Sequence, residues 1–428
     1  MRHAPIDPQL FISNRRNLKR LLMPGSLAAV NANDLLPRNA DSLLPMQPNS
    51  DLFYLTGIEQ EESLLLLHPD AHDEKLREIL FLRVSSPSTE TWEGHKLTKE
   101  EARKISGIQR VEWLSEFRTF FHRLMCDCSH VYLNSNEHKR AEVVVETRDA
   151  RFIRDVRAQY PLHDYQRLAP LMHRVRAVKS DAEIALLRRA CEITDAGFRR
   201  VCRFVRPGVT EAEVEAEFAH EFIRRNGRFA YDPIIASGKN ACVLHYVQND
   251  QPCRKGELLL LDAAASYANY NADLTRTIPV SGRFTRRQKQ VYNAVLRVLR
   301  AASAAATPGK LPRDWQKEAE QMIEKELVDL GLLTLAAIRR QNPDAPAFRK
   351  YFMHGIGHPL GLDVHDVSPT VQPIQEGAVL TVEPGIYLRE EGFAVRLEND
   401  IQVRKGGNVD LMARIPIEAD DVERLMKR

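Results

Sequence analysis

The chain has 428 residues, 43% hydrophobic and 28% charged, with 61 Lys and Arg against 58 Asp and Glu and a formal net charge of +3. That length has room for two or three domains with sizeable cores, and the composition is that of an ordinary globular enzyme. The charges are interspersed, which excludes a basic nucleic-acid stripe, and no window approaches the roughly 18 consecutive apolar residues of a membrane span.

The first ten residues hold Pro5, Asp7 and Pro8 and no apolar stretch of the kind a secretory signal needs. The cysteines, Cys126, Cys128, Cys191, Cys202, Cys242 and Cys253, are scattered, and the close pair has no second pair to complete a zinc site. They read as reduced thiols of a cytoplasmic protein.

In chain order, the pattern predicts a helix over 11–24, a strand over 27–30, a polar, turn-rich region over 37–57, and strands over 63–68 and 79–84. Helices over 100–105 and 114–125 and a strand over 130–133 follow. Strands alternating with helices imply an α/β domain over 1–172, with Pro161 and Pro170 marking its end. It contains no Gly-x-Gly-x-x-Gly and no Walker pattern.

The second domain, 173–428, opens on a capping box, Ser180-Asp-Ala-Glu183, ahead of an apolar helix face formed by Ile184, Leu187, Ile193, Phe198, Val201 and Val205. Thr210 and Glu213 form a second capping box, and the helix it starts stops at Gly227. Strands are predicted over 231–236 and 241–246. Leu258 to Leu261 is an unbroken apolar run ending on Asp262, the profile of a buried strand that delivers an acid. Asp273 follows a hairpin length later. Thr285 and Gln288 cap a helix through Ala305, and another runs over 314–330. The stretch 336–349 is weakly patterned, a surface excursion, and the last dozen residues carry no chemical signal.

The acid-bearing strand recurs. Lys255-Gly-Glu-Leu-Leu-Leu-Leu-Asp262 lines up with Glu376-Gly-Ala-Val-Leu-Thr-Val-Glu383. Asp262 is followed by Asp273 and Glu383 by Glu398; Arg276 and Arg396 stand near the later acids, and two helices precede each strand. A duplicated unit with a pseudo-twofold would bring all four carboxylates to one centre. Between the halves lie His354-Gly-Ile-Gly-His358 and Asp363-Val-His365-Asp366. The first has the histidine spacing of a helical zinc-protease motif, but its glycines, Pro359 and the missing Glu argue against that motif.

Four buried carboxylates cannot all stay ionised without compensating charge, and two divalent cations supply it. Carboxylates with one imidazole suit manganese, cobalt or zinc. A pair of such ions would share a bridging hydroxide and run hydrolysis without an organic cofactor.

The order Asp262…Asp273-Leu-Thr-Arg-Thr, His354-Gly-Ile-Gly-His358, Leu362-Asp-Val-His365-Asp, Thr381-Val-Glu-Pro-Gly-Ile-Tyr387 and Arg396-Leu-Glu398 resembles the pita-bread metallopeptidases, which include methionine aminopeptidases, prolidases and Xaa-Pro aminopeptidases. The resemblance implies an α+β fold, with a pita-bread catalytic domain of pseudo-twofold internal symmetry behind a smaller α/β amino-terminal domain. It implies the metal ligands Asp262, Asp273, His358, Glu383 and Glu398, with Asp273 and Glu398 bridging two ions, manganese first. It also implies roles around substrate and intermediate for His245, His354 and His365, and supporting roles for Arg396 and Tyr387.

Arg38-Asn-Ala-Asp-Ser, Asn49-Ser-Asp-Leu-Phe-Tyr-Leu-Thr-Gly57 and Glu90-Thr-Trp-Glu-Gly94 resemble the amino domain of bacterial Xaa-Pro aminopeptidases. Three positions depart from the family pattern: Ala264 for Gly, Asn399 for an acid, and Pro359 beside His358.

The expected reaction is hydrolysis of the amino-terminal Xaa-Pro bond of peptides. A bridging hydroxide attacks, His365 or His245 stabilises the oxyanion, and Glu383 relays a proton to the proline nitrogen. The alternatives are a prolidase confined to Xaa-Pro dipeptides and a metal-free protein-binding relative, which predicts broken ligands where all five here are intact. The resemblance further implies a homodimer or homotetramer, with no nucleic-acid or membrane partner.

Overall fold

A computed structural model describes residues 3–140, 143–369 and 371–427. The chain forms two compact units, one over 3–176 and the other from Ala177 onward. The helix Ala169–Arg176 lies across 172/173 and belongs to the first unit.

The first unit is built on a six-stranded mixed sheet, ordered Arg110–Trp113, Glu78–Leu82, Leu64–Leu67, Ser26–Asn31, His130–Leu133, Asp164–Arg167. Ser26–Asn31 runs parallel to His130–Leu133 and antiparallel to Leu64–Leu67. Both central strands are buried at every residue, which is why they read as continuous apolar runs and not as alternating ones. Helices cover the sheet, and Leu27, Leu64, Phe81, Phe121, Leu124 and Val131 share one core.

Part of the region expected to be turns is a helix, Ser50–Thr56. Asn49 caps it by accepting from the Asp51 and Leu52 amides, and Gly57 ends it at φ 70°. The polar residues that suggested turns are its caps. The helix Arg148–Gln159 was not visible in the pattern, because only Val156 on it is fully buried.

The second unit shows the duplication. Helices Asp181–Phe204 and Glu211–Arg224 precede the strands Ile234–Ser237, Leu258–Asp262 and Thr275–Pro279. Helices Arg286–Ala305 and Pro312–Asp329 precede Val379–Val382 and Asn399–Gln402. In each half the two acid-bearing strands pair antiparallel, with Asp262 opposite Thr275 and Val382 opposite Asn399.

All three expected capping boxes are present. The halves meet where the Glu398 amide donates to the Thr275 carbonyl (3.0 Å) and the Thr277 hydroxyl to the Arg396 carbonyl (3.1 Å).

Between Asp262 and Asp273 the chain makes a further small hairpin, Ala265–Tyr267 with Tyr270–Asn271. Its two turn residues, Ala268 and Asn269, both have positive φ (50° and 64°), as a type I′ turn demands.

The strand expected over 241–246 is absent. A 3-10 helix, Gly238–Cys242, runs into a turn there instead. Its cause is Glu211, fully buried, which accepts from the Ser237 amide (2.7 Å), the Tyr246 hydroxyl (2.8 Å) and the Gln251 amide (2.9 Å). These bonds draw Ser237, Tyr246 and Gln251 onto one carboxylate and fold the segment between them into a loop.

The excursion at 336–349 contains a short helix, Leu335–Arg340, and the last residues form the helix Ala419–Met426. No helix among the described residues is long and apolar enough to cross a membrane.

Candidate active site

The duplicated strands place their acids at one centre. Asp262 ends a buried strand and Asp273 stands just before the strand that pairs with it. Tyr231 lies between the two, its hydroxyl 2.6 Å from Asp262 Oδ1 and 2.7 Å from Asp273 Oδ1. One hydroxyl proton serves only one of them at a time. From the other half, Glu398 Oε2 accepts from the Thr275 hydroxyl at 2.7 Å. Asp273 and Glu398 are buried (5% and 2% exposed).

His358 brings the imidazole. Its Nδ1 lies 3.0 Å from the Pro359 carbonyl, so Nδ1 carries the proton and Nε2 presents a lone pair. That lone pair faces Asp273 Oδ2 at 3.5 Å and Glu383 Oε1 at 3.8 Å. A lone pair directed at two carboxylates is repulsive unless a proton or a cation lies between them. One ligand atom each from Asp273, His358 and Glu398 fall within 4.8 Å of one another, a grouping that fits a metal ion.

The proton affinities fit the same conclusion. Burial, aided by Asp273 and Asp262 and opposed by His358 and Arg396, brings Glu383 up to about 7. Burial and the neighbouring carboxylates hold Glu398 well above the usual range, and burial raises Asp262 despite Arg396. For His358, burial alone would lower the imidazole, but Asp273 and Glu383 outweigh it and lift it. Without metal, the cluster gathers protons in place of positive charge.

A second chain of contacts runs out from Asp262. Buried Arg396 donates to Asp262 Oδ2, to the Thr275 hydroxyl (Nε, 3.1 Å) and to the Tyr387 hydroxyl (Nη1, 3.0 Å). The Tyr387 hydroxyl lies 2.8 Å from His354 Nε2. His354 Nδ1 is 2.8 Å from the Gly355 carbonyl, so Nε2 accepts from Tyr387. The same Nδ1 is 3.7 Å from Glu383 Oε2, which closes the chain back onto the carboxylates.

His365 is exposed, and its ring lies over that of His358 with centroids 3.9 Å apart and an interplanar angle of 32°. His245 is the one candidate not drawn into the cluster. It is exposed, on the turn after Gly238–Cys242.

The sequence is similar to known proteins along its whole length. Residues 185–405 match the model of metallopeptidase family M24. The chain belongs to metallopeptidase family M24. Residues 11–132 of this M24 peptidase match the aminopeptidase P N-terminal domain.

It is 35% identical to the Xaa-Pro aminopeptidase of Escherichia coli K12 over 99% of this chain and 98% of the relative. It is 33% identical to that of Haemophilus influenzae with the same shares covered. Among solved structures, zinc-substituted Escherichia coli aminopeptidase P with product superposes with TM-score 0.86 at 34% identity, covering 99% of both chains. The complex of that enzyme with the inhibitor Pro-Leu gives the same figures. The pita-bread α+β architecture expected from the motifs is the architecture of this peptidase, and it is a hydrolase.

Two features of the candidate site escaped the sequence. Tyr231 stood in a stretch read as a strand, and nothing in its spacing ties it to the acids. Asp400, also unremarked, is fully buried and accepts from the Asp273 amide at 3.1 Å. Burial, with Asp273 beside it, holds its carboxyl well above the usual range. Asn399, which departs from the expected acid, accepts from Arg276 (2.7 Å) and donates to Asp410 (2.6 Å). An amide serves that bridge because it both accepts and donates.

Proposed function

We propose that this M24 peptidase is a dinuclear metal-dependent aminopeptidase that releases the amino-terminal residue preceding proline. The observation that carries the metal reading is His358, whose Nδ1 is tied to a backbone carbonyl so that Nε2 faces Asp273 and Glu383. The names of its relatives support the proline preference.

The proposed ligands are Asp262, Asp273, His358, Glu383 and Glu398, with Asp273 and Glu398 serving both ions. Manganese is the proposed metal, and cobalt or zinc suit the same oxygen and nitrogen donors. When bound, the ions supply Lewis acidity toward the scissile carbonyl and an acidified water.

The side chains do the rest. Glu383 carries a proton to the proline nitrogen, which must be protonated to leave. Arg396 holds Asp262 and Tyr387 in place, and Tyr387 fixes His354 through its Nε2. His365 or His245 is proposed to face the substrate and stabilise the developing oxyanion. The amide before proline has no N–H, so the site needs no acceptor there. The working form is proposed to be a cytoplasmic homodimer or homotetramer.

The test is turnover of Arg-Pro-Pro against Arg-Pro by purified protein loaded with manganese. Cleavage of the tripeptide is the expected result. Cleavage of the dipeptide alone makes the enzyme a prolidase, and cleavage of neither sinks the reading.

A further inference from the structure

The segment between His358 and Val367 is wrapped around a buried ion pair that the mechanism does not use. Lys179 Nζ lies 2.8 Å from Asp366 Oδ2, and both side chains are 1% exposed. A buried ion pair is a weak stabiliser, because desolvation cancels most of the attraction; what it supplies is direction.

Here the direction concerns two histidines. Asp366 directly follows His365. Its other oxygen accepts from the Val367 amide at 2.9 Å, and its own amide donates to the Pro359 carbonyl at 2.9 Å. That same carbonyl orients the His358 ring through Nδ1 at 3.0 Å. One backbone oxygen therefore sets the ring of His358 and the backbone beside His365 together.

The turn closes tightly on the pair. A Cβ on Gly361 would stand 2.2 Å from Asp366 Oδ2 and 2.9 Å from Lys179 Cε, so only glycine fits. Asn271, two residues before Asp273, pins the turn from the other side. Its Nδ2 donates to the Leu362 carbonyl at 2.8 Å and its amide to the Gly361 carbonyl at 2.9 Å. Lys179 is itself fixed. Its amide donates to the Gly377 carbonyl at 3.0 Å, and the capping box of the 24-residue helix Asp181–Phe204 starts at the next residue.

We propose that Lys179 and Asp366 are positioning residues for His365, holding its exposed imidazole over His358 so that it meets the substrate in one orientation. The inference rests on the proposed role of His365 at the substrate. An exposed side chain on a turn has many orientations, and a fixed backbone under it removes most of them before substrate arrives.

The experiment is a double-mutant cycle. The first variant is Lys179→Met with Asp366→Leu, which replaces the pair by apolar residues that keep the site filled. The second is His365→Ala, and the third combines all three changes. Three quantities are measured on full-length protein: metal content, the Kd for the dipeptide Pro-Leu, and kcat and KM on Arg-Pro-Pro.

The expected result for the apolar pair is unchanged metal content, Pro-Leu binding weakened by about tenfold and kcat/KM lowered by about 10–100-fold. The combined variant should be no worse than His365→Ala alone, since removing the ring leaves nothing to position. Should the apolar pair not fold, Asp366→Asn keeps one acceptor oxygen, and its smaller loss should likewise vanish in the His365→Ala background.

If His365→Ala loses binding and turnover while the pair variants keep both, or if the losses multiply, the positioning role is wrong and the functional reading stands. If His365→Ala behaves as wild type, the role of His365 fails, and this inference fails with it.

Discussion

Removing the metals should make the stability of this protein depend on pH in a direction that the loaded protein does not share. Asp262, Asp273, Glu383 and Glu398 bring four negative charges to one buried centre, and Arg396 is the guanidinium in direct contact with Asp262. With the proposed ions absent, protons must supply the missing positive charge.

Glu383 shows the size of the effect. Its carboxyl moves from an ordinary 4.5 to about 7, a step worth about 3 kcal/mol. A folded-state value above the unfolded one means that the folded protein binds the proton more tightly. Stability is therefore complete below about pH 4.5 and is lost as pH rises toward 7. For a unit of this size, about 3 kcal/mol corresponds to a fall in Tm of roughly 6–12 °C.

The assay is thermal unfolding of chelator-treated and manganese-saturated protein from pH 5 to pH 8. The metal-free curve should fall across that window. The saturated curve should hold, and the two should converge at the acid end, where protons displace the ions. Parallel curves would refute the idea that these carboxylates need a cation to stay ionised.

Three further outcomes can be checked directly. Asp273→Ala should cost the binding of both ions, because the proposed bridging ligand serves both; elemental analysis that still finds two per chain makes the bridging assignment wrong. Tyr231→Phe removes the hydroxyl shared by Asp262 and Asp273 and should weaken manganese binding by about 10–100-fold in calorimetry, whereas an unchanged affinity reduces Tyr231 to packing. Gly57→Ala would put a methyl group 2.4 Å from the Phe11 ring at a φ of 70°. It should destabilise the amino-terminal unit by about 2–5 kcal/mol, read as faster hydrogen exchange over 3–176, and exchange at the wild-type rate would show that Phe11 can yield.

How much of this was legible beforehand depends on where the information sat. The repeat could be read because it is local: Gly-strand-acid is a short pattern, and its two copies align within a few residues of Asp262 and Glu383. The capping boxes were legible for the same reason, each being a side chain bonded three residues away. The helix Ser50–Thr56 was missed because caps and turns draw on the same residues, and only burial of its Leu52 to Thr56 face tells them apart. The false strand at 241–246 was apolar enough to look extended, but Glu211, far back in the chain, bends it.

The same distinction explains which site residues were found. A metal ligand is specified by what it offers, so the proposed ligands Asp262, Asp273, His358, Glu383 and Glu398 could be named from motifs whose types and order resemble the family's. Residues that hold them are specified by what they touch. Tyr231 is 31 residues from Asp262 and 42 from Asp273, and Asp400 is 127 residues from the amide it holds. Lys179 reaches Asp366 across 187 residues. Nothing within reach of a sequence window marks such a lysine as different from any other, and a buried carboxylate partner is visible only once the chain has folded. The chemistry was therefore legible before the geometry, and the residues that aim it became visible only with the geometry. Of these, Asp366 is the most informative, because one side chain faces the scaffold through Lys179 while its backbone touches the carbonyl that orients His358.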